Sequence, residues 1–92
     1  MDKISQLDQT VDLMRSESYK ERFIAEYAQV AIRTLRLERV LKSVEDKTCP
    51  KCFEPTCDIA ILKSQWKSMN AYLATLIVRA AIEDIDLPEV EV

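Results

Sequence analysis

Leu73-Ala-Thr-Leu-Ile-Val-Arg79-Ala-Ala-Ile-Glu-Asp-Ile85 decides how this chain folds. Wound as an α-helix, the stretch is apolar on almost every side, and one full charge, Arg79, sits in its middle. A helix that is apolar all round is covered on more than one face. Two helices alone cannot supply that cover. The stretch therefore predicts self-association, and it makes Arg79 the residue to explain.

Outward from it, the pattern continues towards the N-terminus. Ile59, Leu62, Trp66, Met69, Leu73, Leu76 and Ala80 recur at alternating spacings of 3 and 4. That spacing predicts a helix over residues 58–85 with a seam for one partner helix. Ala74, Ile77, Val78, Ala81 and Ile85 add a second apolar side at one end only. Thr56 or Asp58 can cap its start, and Asp86-Leu87-Pro88 stops it. Residues 86–92 read as a short acidic tail.

A matching seam precedes it. Phe23, Tyr27, Val30, Thr34, Leu37, Leu41 and Val44 alternate spacings of 4 and 3, which predicts a helix over residues 19–44 opened by a capping box of Ser18 and Glu21. A second stripe, Ile24, Ala28, Ala31 and Leu35, runs beside the seam and stops where Glu38 and Lys42 take its place. Residues 45–57, with Pro50 and Pro55, form the connecting loop. Ile4, Leu7, Val11 and Met14, at spacings 3, 4 and 3, make one stripe of a short helical arm over residues 1–15.

The expected fold is a single all-α domain: an antiparallel two-helix hairpin with a short N-terminal helix, assembled as a homo-oligomer. Matched helix lengths place Leu73–Ile85 beside Tyr19–Val30, with Arg79 near position 24 and one turn from Tyr19 and Arg22. Both broad apolar ends then coincide away from the loop. That surplus face is the expected oligomer interface, unless the arm covers it within one chain.

Composition narrows the function. A chain of 92 residues makes one small domain, whose core is marginal without help from partners, metals or disulfides. There is no Gly, hence no Gly-rich phosphate loop and no nucleophile elbow. There is no His, which removes the usual general base and rules out Ser/His or Cys/His catalysis. A metal-dependent nucleotide hydrolase would need an ExxE repeated against an ExxD; Glu83-x-x-Asp86 is present, but no ExxE precedes it. These features argue against an enzyme. A net charge of −3 argues against binding DNA or RNA polymers. No signal peptide is visible, and no run reaches the roughly 18 apolar residues of a membrane helix. An odd count of 3 Cys fits a reducing cytoplasm better than a disulfide framework.

Few groups remain for chemistry. Cys49-Pro50-Lys51-Cys52 is half of a zinc knuckle, with Cys57 five residues on. Structural zinc takes four ligands, so a full site needs Asp58 or a second chain; solvated thiols in a Pro-set turn are the plainer reading. Arg33, Arg36 and Arg39 form either an anion-binding ridge or a solvated face paired with Glu38 and Glu45. Tyr19, Arg22 and Arg79 fall at one end of the hairpin, where a guanidinium beside aromatic rings suits a phosphate with a stacked base. The rival for Arg79 is an ion pair with Glu21 or Glu26 that sets register.

The runs Tyr19-Lys-Glu-Arg22-Phe23, Phe53-Glu-Pro55-Thr-Cys57 and Gln65-x-x-x-Met69-x-x-Tyr72-Leu73-x-x-Leu76-x-x-Arg79-Ala80 carry a resemblance. The chain resembles, over about Tyr19 to Leu87, the helical-hairpin family of phage anti-defence sponges that counter CBASS and Thoeris immunity. The resemblance implies a non-enzymatic protein of the infected bacterial cytoplasm, without cofactor, that sequesters cyclic oligonucleotide signals (di- or trinucleotides) in pockets between protomers, often of a homohexamer. It implies Tyr19 for base stacking and Arg79 for phosphate, with Arg22 a further candidate and Arg33 or Arg36 as the basic residue of the first helix. The Cys49/Cys52 loop departs from the family pattern. The alternative is a coiled-coil module that binds another protein through its apolar face and takes no small ligand.

Overall fold

A computed structural model of the chain describes residues 3–45 and 57–92. Among them the secondary structure is helical apart from one isolated β-bridge. A 3-10 turn, Leu7–Thr10, runs directly into the short helix α1, Val11–Met14. Two long helices follow, α2 over Tyr19–Glu45 and α3 over Ile59–Glu83. Tyr19 meets Arg79 and Glu26 meets Tyr72, so α2 and α3 run in opposite senses.

Local chemistry sets the helix ends. Asp58 precedes α3 with an extended backbone, and its carboxylate accepts from the Ala60 amide at 2.9 Å. That satisfies one of the donors left orphaned at the helix start. At the start of α2 only half of the expected box forms: Ser18 Oγ accepts from the Glu21 amide at a long 3.5 Å. The far end of α3 comes earlier than the sequence pattern implied. Asp84 turns left-handed at φ 58, ψ 48, and the Ile85 amide closes back on the Ala80 carbonyl at 2.9 Å. A chain with no Gly gives this C-terminal cap to a residue whose short polar side chain tolerates the conformation. Ile85 thereby leaves the helix and drops into the core.

That core has two parts. Phe23 and Ile24 of α2 pack with Leu76 and Ala80 of α3 and with Ile85. Ile4, Ala28 and Ile32 form the second cluster, with Leu7, Leu13, Val90 and Val92 against it. The arm corrects the expected stripe. Residues 3–6 are not helical, and the 3-10 turn that follows repeats every three residues. That period aligns Leu7, Thr10 and Leu13 instead of Leu7, Val11 and Met14. Thr10 is 1% exposed, whereas Val11 and Met14 are exposed. Buried Thr10 donates to the Leu7 carbonyl at 2.6 Å and accepts from Gln29 Nε2 at 2.9 Å, so burial leaves its hydroxyl satisfied.

The acidic tail is likewise a packed element. The Ile4 amide donates to the Glu89 carbonyl at 2.9 Å, and the Glu91 amide to the Ile4 carbonyl at 3.1 Å, a parallel bridge between Ile4 and Val90. Lys3 Nζ lies 3.2 Å from Glu91 and 3.7 Å from Glu89. Arm and tail together cover the Ala28/Ile32 face of α2 within one chain; Ala28 belongs to the second stripe, and Ile32, beside it, does not. The outer face of α3 is different. Ile77, Val78 and Ile82 stay exposed, Val78 at 57% and Ile82 at 78%. Residues 73–85 are thus split: Leu76, Ala80 and Ile85 are core, Leu73 is half-buried, and Ile77, Val78 and Ile82 face outward.

Candidate functional site

Two rows of residues face each other along one open edge of the helix pair. Tyr19, Glu26 and Arg33 repeat every seven positions on α2, and Gln65, Tyr72 and Arg79 do so on α3. Seven residues are close to two full turns, so each row stays on one face of its helix. Because the helices run oppositely, the rows pair as three rungs: Tyr19 with Arg79, Glu26 with Tyr72, and Arg33 with Gln65 in one groove. Successive rungs lie roughly 10 Å apart along the axis.

The first rung is a clamped guanidinium. Arg79 Nη2 donates to the Tyr19 hydroxyl at 2.9 Å. Its guanidinium carbon stands 4.9 Å from the centroid of the Phe23 ring, a cation–π contact. The Tyr19 and Phe23 rings are 6.3 Å apart and tilted by 56°. Arg79 Nε lies 3.5 Å from Glu83 Oε2, one turn on in the same helix. The rival ion pair is therefore corrected: the acid is Glu83, not Glu21 or Glu26. Arg79 lies more than a turn nearer the start of α2 than loop-centred pairing placed it. Register here follows the packing of Phe23 and Ile24 against Leu76 and Ala80, not the midpoint of the loop. The hydrogen bond to Tyr19 raises the Arg79 pKa; desolvation opposes this, and the charges of Glu83 and Glu26 add to it. The group stays cationic with part of its donor edge free for a ligand.

The second rung pairs an acid with a phenol. The Tyr72 hydroxyl donates to Glu26 Oε2. That bond, then burial, then the Glu26 charge push the Tyr72 pKa above its ordinary value, while Arg79 pulls it down. The third rung opens into a groove of about 420 Å³ that contains Glu26, Gln29, Arg33, Gln65, Met69 and Tyr72. Gln29 links this groove to the arm through its bond to Thr10.

The five expected ligand residues are not all gathered. Tyr19 and Arg79 meet. Arg33 lies on the same edge but two rungs away, roughly 20 Å along α2 from Tyr19. Arg22 points elsewhere and donates to the Ser16 carbonyl at 2.8 Å. Arg36 reaches the arm, donating to Gln6 Oε1 at 3.2 Å. The spacing argument missed Glu26 and Tyr72 as neighbours, and Phe23 as the ring beneath Arg79. The sevenfold repeat of polar residues beside each apolar seam was the signal that could have found the edge. Cys49 and Cys52 lie outside the described residues, and Cys57 is an exposed free thiol. Among the described residues no group of three or more acids and thiols is placed to hold a metal ion.

The geometry defines a class first: a small all-helical module whose open edge presents an oriented guanidinium, a phenol and side-chain amides. The sequestin family model matches residues 17–82, so the chain belongs to the sequestin family. That span contains all three rungs and leaves out the arm and the tail. Neither the curated proteins nor the solved structures contain a match to the chain. No helix among the described residues is long and apolar enough to cross a membrane.

Proposed function

We propose that this chain is a phage anti-defence sponge: it binds cyclic oligonucleotide second messengers in the host cytoplasm and withholds them from immune effectors without cleaving them. The observation that carries the reading is the first rung. A guanidinium held over the Phe23 ring and bonded to the Tyr19 phenol, whose own ring is exposed, suits a phosphate and a stacked base. The family name denotes sequestration, in keeping with a binding role.

One hairpin offers an edge and not an enclosure, whereas small-ligand pockets are concave. Completion by a second copy follows, with the exposed Ile77, Val78 and Ile82 face of α3 as the assembly surface of a homohexamer. No metal or cofactor is needed for this role, and zinc at the cysteine loop is a separate matter for metal analysis. The same exposed face also favours a second reading, a coiled-coil module for a protein partner.

A thermal-shift panel of cyclic di- and trinucleotides, with mass by light scattering, separates the two. Ligand at about 100 times Kd adds roughly 2.7 kcal/mol to the folded state, a clear rise in melting temperature. No rise with any member of the panel removes the sponge reading. Arg79→Ala is expected to abolish the rise and leave the mass unchanged; loss of the assembly instead makes Arg79 a structural group.

A further inference from the structure

Trp66 stands in the seam of α3, yet its one polar atom is unsatisfied: Nε1 is buried and has no hydrogen-bond partner among the described residues. A donor buried without an acceptor costs free energy. The ring lines a second groove, of about 250 Å³, with Glu38, Leu41 and Lys42 of α2 and Lys63 and Lys67 of α3. Lys63 and Lys67 are four residues apart and share a face of α3 roughly half a turn round from Gln65 and Tyr72. This groove therefore opens on the edge opposite the three rungs. It also lies roughly 35 Å along α2 from Tyr19, near the loop end of the helix pair.

Its lining divides by chemistry. Leu41 is buried and makes an apolar floor with the indole. Three lysines and one acid stand around that floor, a local surplus of cations in a chain whose net charge is −3. Lys42 Nζ lies 3.5 Å from Glu38 Oε1, so the one acid of the groove is already paired. Lys67 is exposed, and no acid pairs with it among the described residues. An apolar floor, a cationic rim and a donor in want of an acceptor complement a flat apolar body that carries an anionic group. The volume falls below the roughly 300–1,000 Å³ of sites for drug-sized ligands, so that body is about one ring system.

We infer that this groove is a second binding site, for a small aromatic anion. The ligand's ring lies on Leu41 and the indole. Its anionic oxygens accept from Lys67, in the positive field of Lys42 and Lys63, and a turn of the indole brings Nε1–H to one of them. The site is separate from the Tyr19–Arg79 rung and does not rest on the sponge reading.

Trp66 is the only tryptophan of the chain, so a single indole N–H peak in the proton–nitrogen correlation spectrum of the isotope-labelled full chain reports on it alone. Phenyl phosphate is the probe. It is expected to move that peak downfield and saturably, binding at least about tenfold more tightly than inorganic phosphate because part of its ring leaves water. Benzyl alcohol, which brings the ring without the charge, is expected to leave the peak in place. Lys67→Glu is expected to weaken phenyl phosphate binding about tenfold with helicity unchanged, and Lys67→Arg to retain it. A peak that stays put or moves upfield at millimolar probe overturns the inference. So does an affinity that survives Lys67→Glu, and equal binding of inorganic phosphate marks an adventitious ion only. Cyclic-nucleotide thermal shifts keep the two sites apart: Lys67→Glu is expected to leave any rise unchanged, and Arg79→Ala to leave the indole titration unchanged. Loss of both responses in either variant overturns a separate second site, whereas absence of any cyclic-nucleotide rise removes the sponge reading alone.

Discussion

Leu76→Ala tests whether the apolar run is divided between core and surface as described. Leu76 is fully buried against Phe23, Ile24, Ala80 and Ile85. Truncation removes three carbons, at about 0.8 kcal/mol each for transfer, and leaves a cavity that neighbours on two helices cannot collapse. The expected cost is about 3–4 kcal/mol, or roughly 12–30 °C in melting temperature for a domain of this size. Val78→Ala, two residues along the same helix, is the control. Val78 is 57% exposed, and Ala is the better helix former, so in dilute protein the change costs under about 0.5 kcal/mol. Urea unfolding followed by circular dichroism over a range of protein concentrations measures both. The Leu76 cost is expected at every concentration. Any Val78 cost is expected to grow with concentration where the proposed assembly covers that side chain. A Leu76→Ala loss below about 1 kcal/mol, or equal losses for the two variants in dilute protein, refutes the division.

Three further outcomes follow from other elements. Ile82→Asp, at the most exposed large apolar position of α3, is expected to lower the mass in light scattering while the far-ultraviolet helical signal persists; an unchanged mass overturns the proposal that this face is an assembly surface. Asp84→Gly relieves the left-handed cap and is expected to stabilise by about 0.5–1 kcal/mol, whereas Asp84→Ala is not; a Gly variant no more stable than the Ala variant contradicts the cap geometry. Tyr72 keeps its proton more firmly in the folded chain than in the unfolded one, chiefly through Glu26. Its contribution to stability is therefore whole below the ordinary phenol pKa and fades as pH climbs through the raised folded value. Ultraviolet titration of wild type against Tyr72→Phe is expected to show that the missing ionisation is one above the ordinary range; a missing step at or below that range counts against the Glu26 hydrogen bond.

The long helices were legible because each repeats its apolar residues over many turns. Phe23, Leu41 and Leu76 all stand in those seams, and all are buried. The pairing of residues across the seam was less legible, since it depends on which side chains interlock. Tyr19 and Arg79 were placed at the same end, but the contact between them and the Glu83 partner emerge only from that packing. The arm was misread because a single turn of 3-10 helix shifts the buried set from Val11 and Met14 to Thr10 and Leu13. The tail was misread because Val90 and Val92 gain their role from Ile4, nearly the whole chain away. Short segments carry too few residues for a period to declare itself. Of the candidate site, the residue types were readable and the sharing of one edge was not. Arg22 and Arg36 look no different in sequence from Arg33, yet Ser16 and Gln6 claim them.

The bridge between Ile4 and Val90 gives the molecule a clasp. Joining positions so distant in sequence carries a large loop-closure cost until the intervening helices have already brought them together. Arm and tail are thus expected to dock late in folding, after α2 and α3 have paired, and to open as one unit when they open. Gln29 joins the docked arm, through Thr10, to the groove. Opening at the chain's two ends would withdraw the bond that orients Gln29, so the groove inherits its shape from contacts made on the far side of α2.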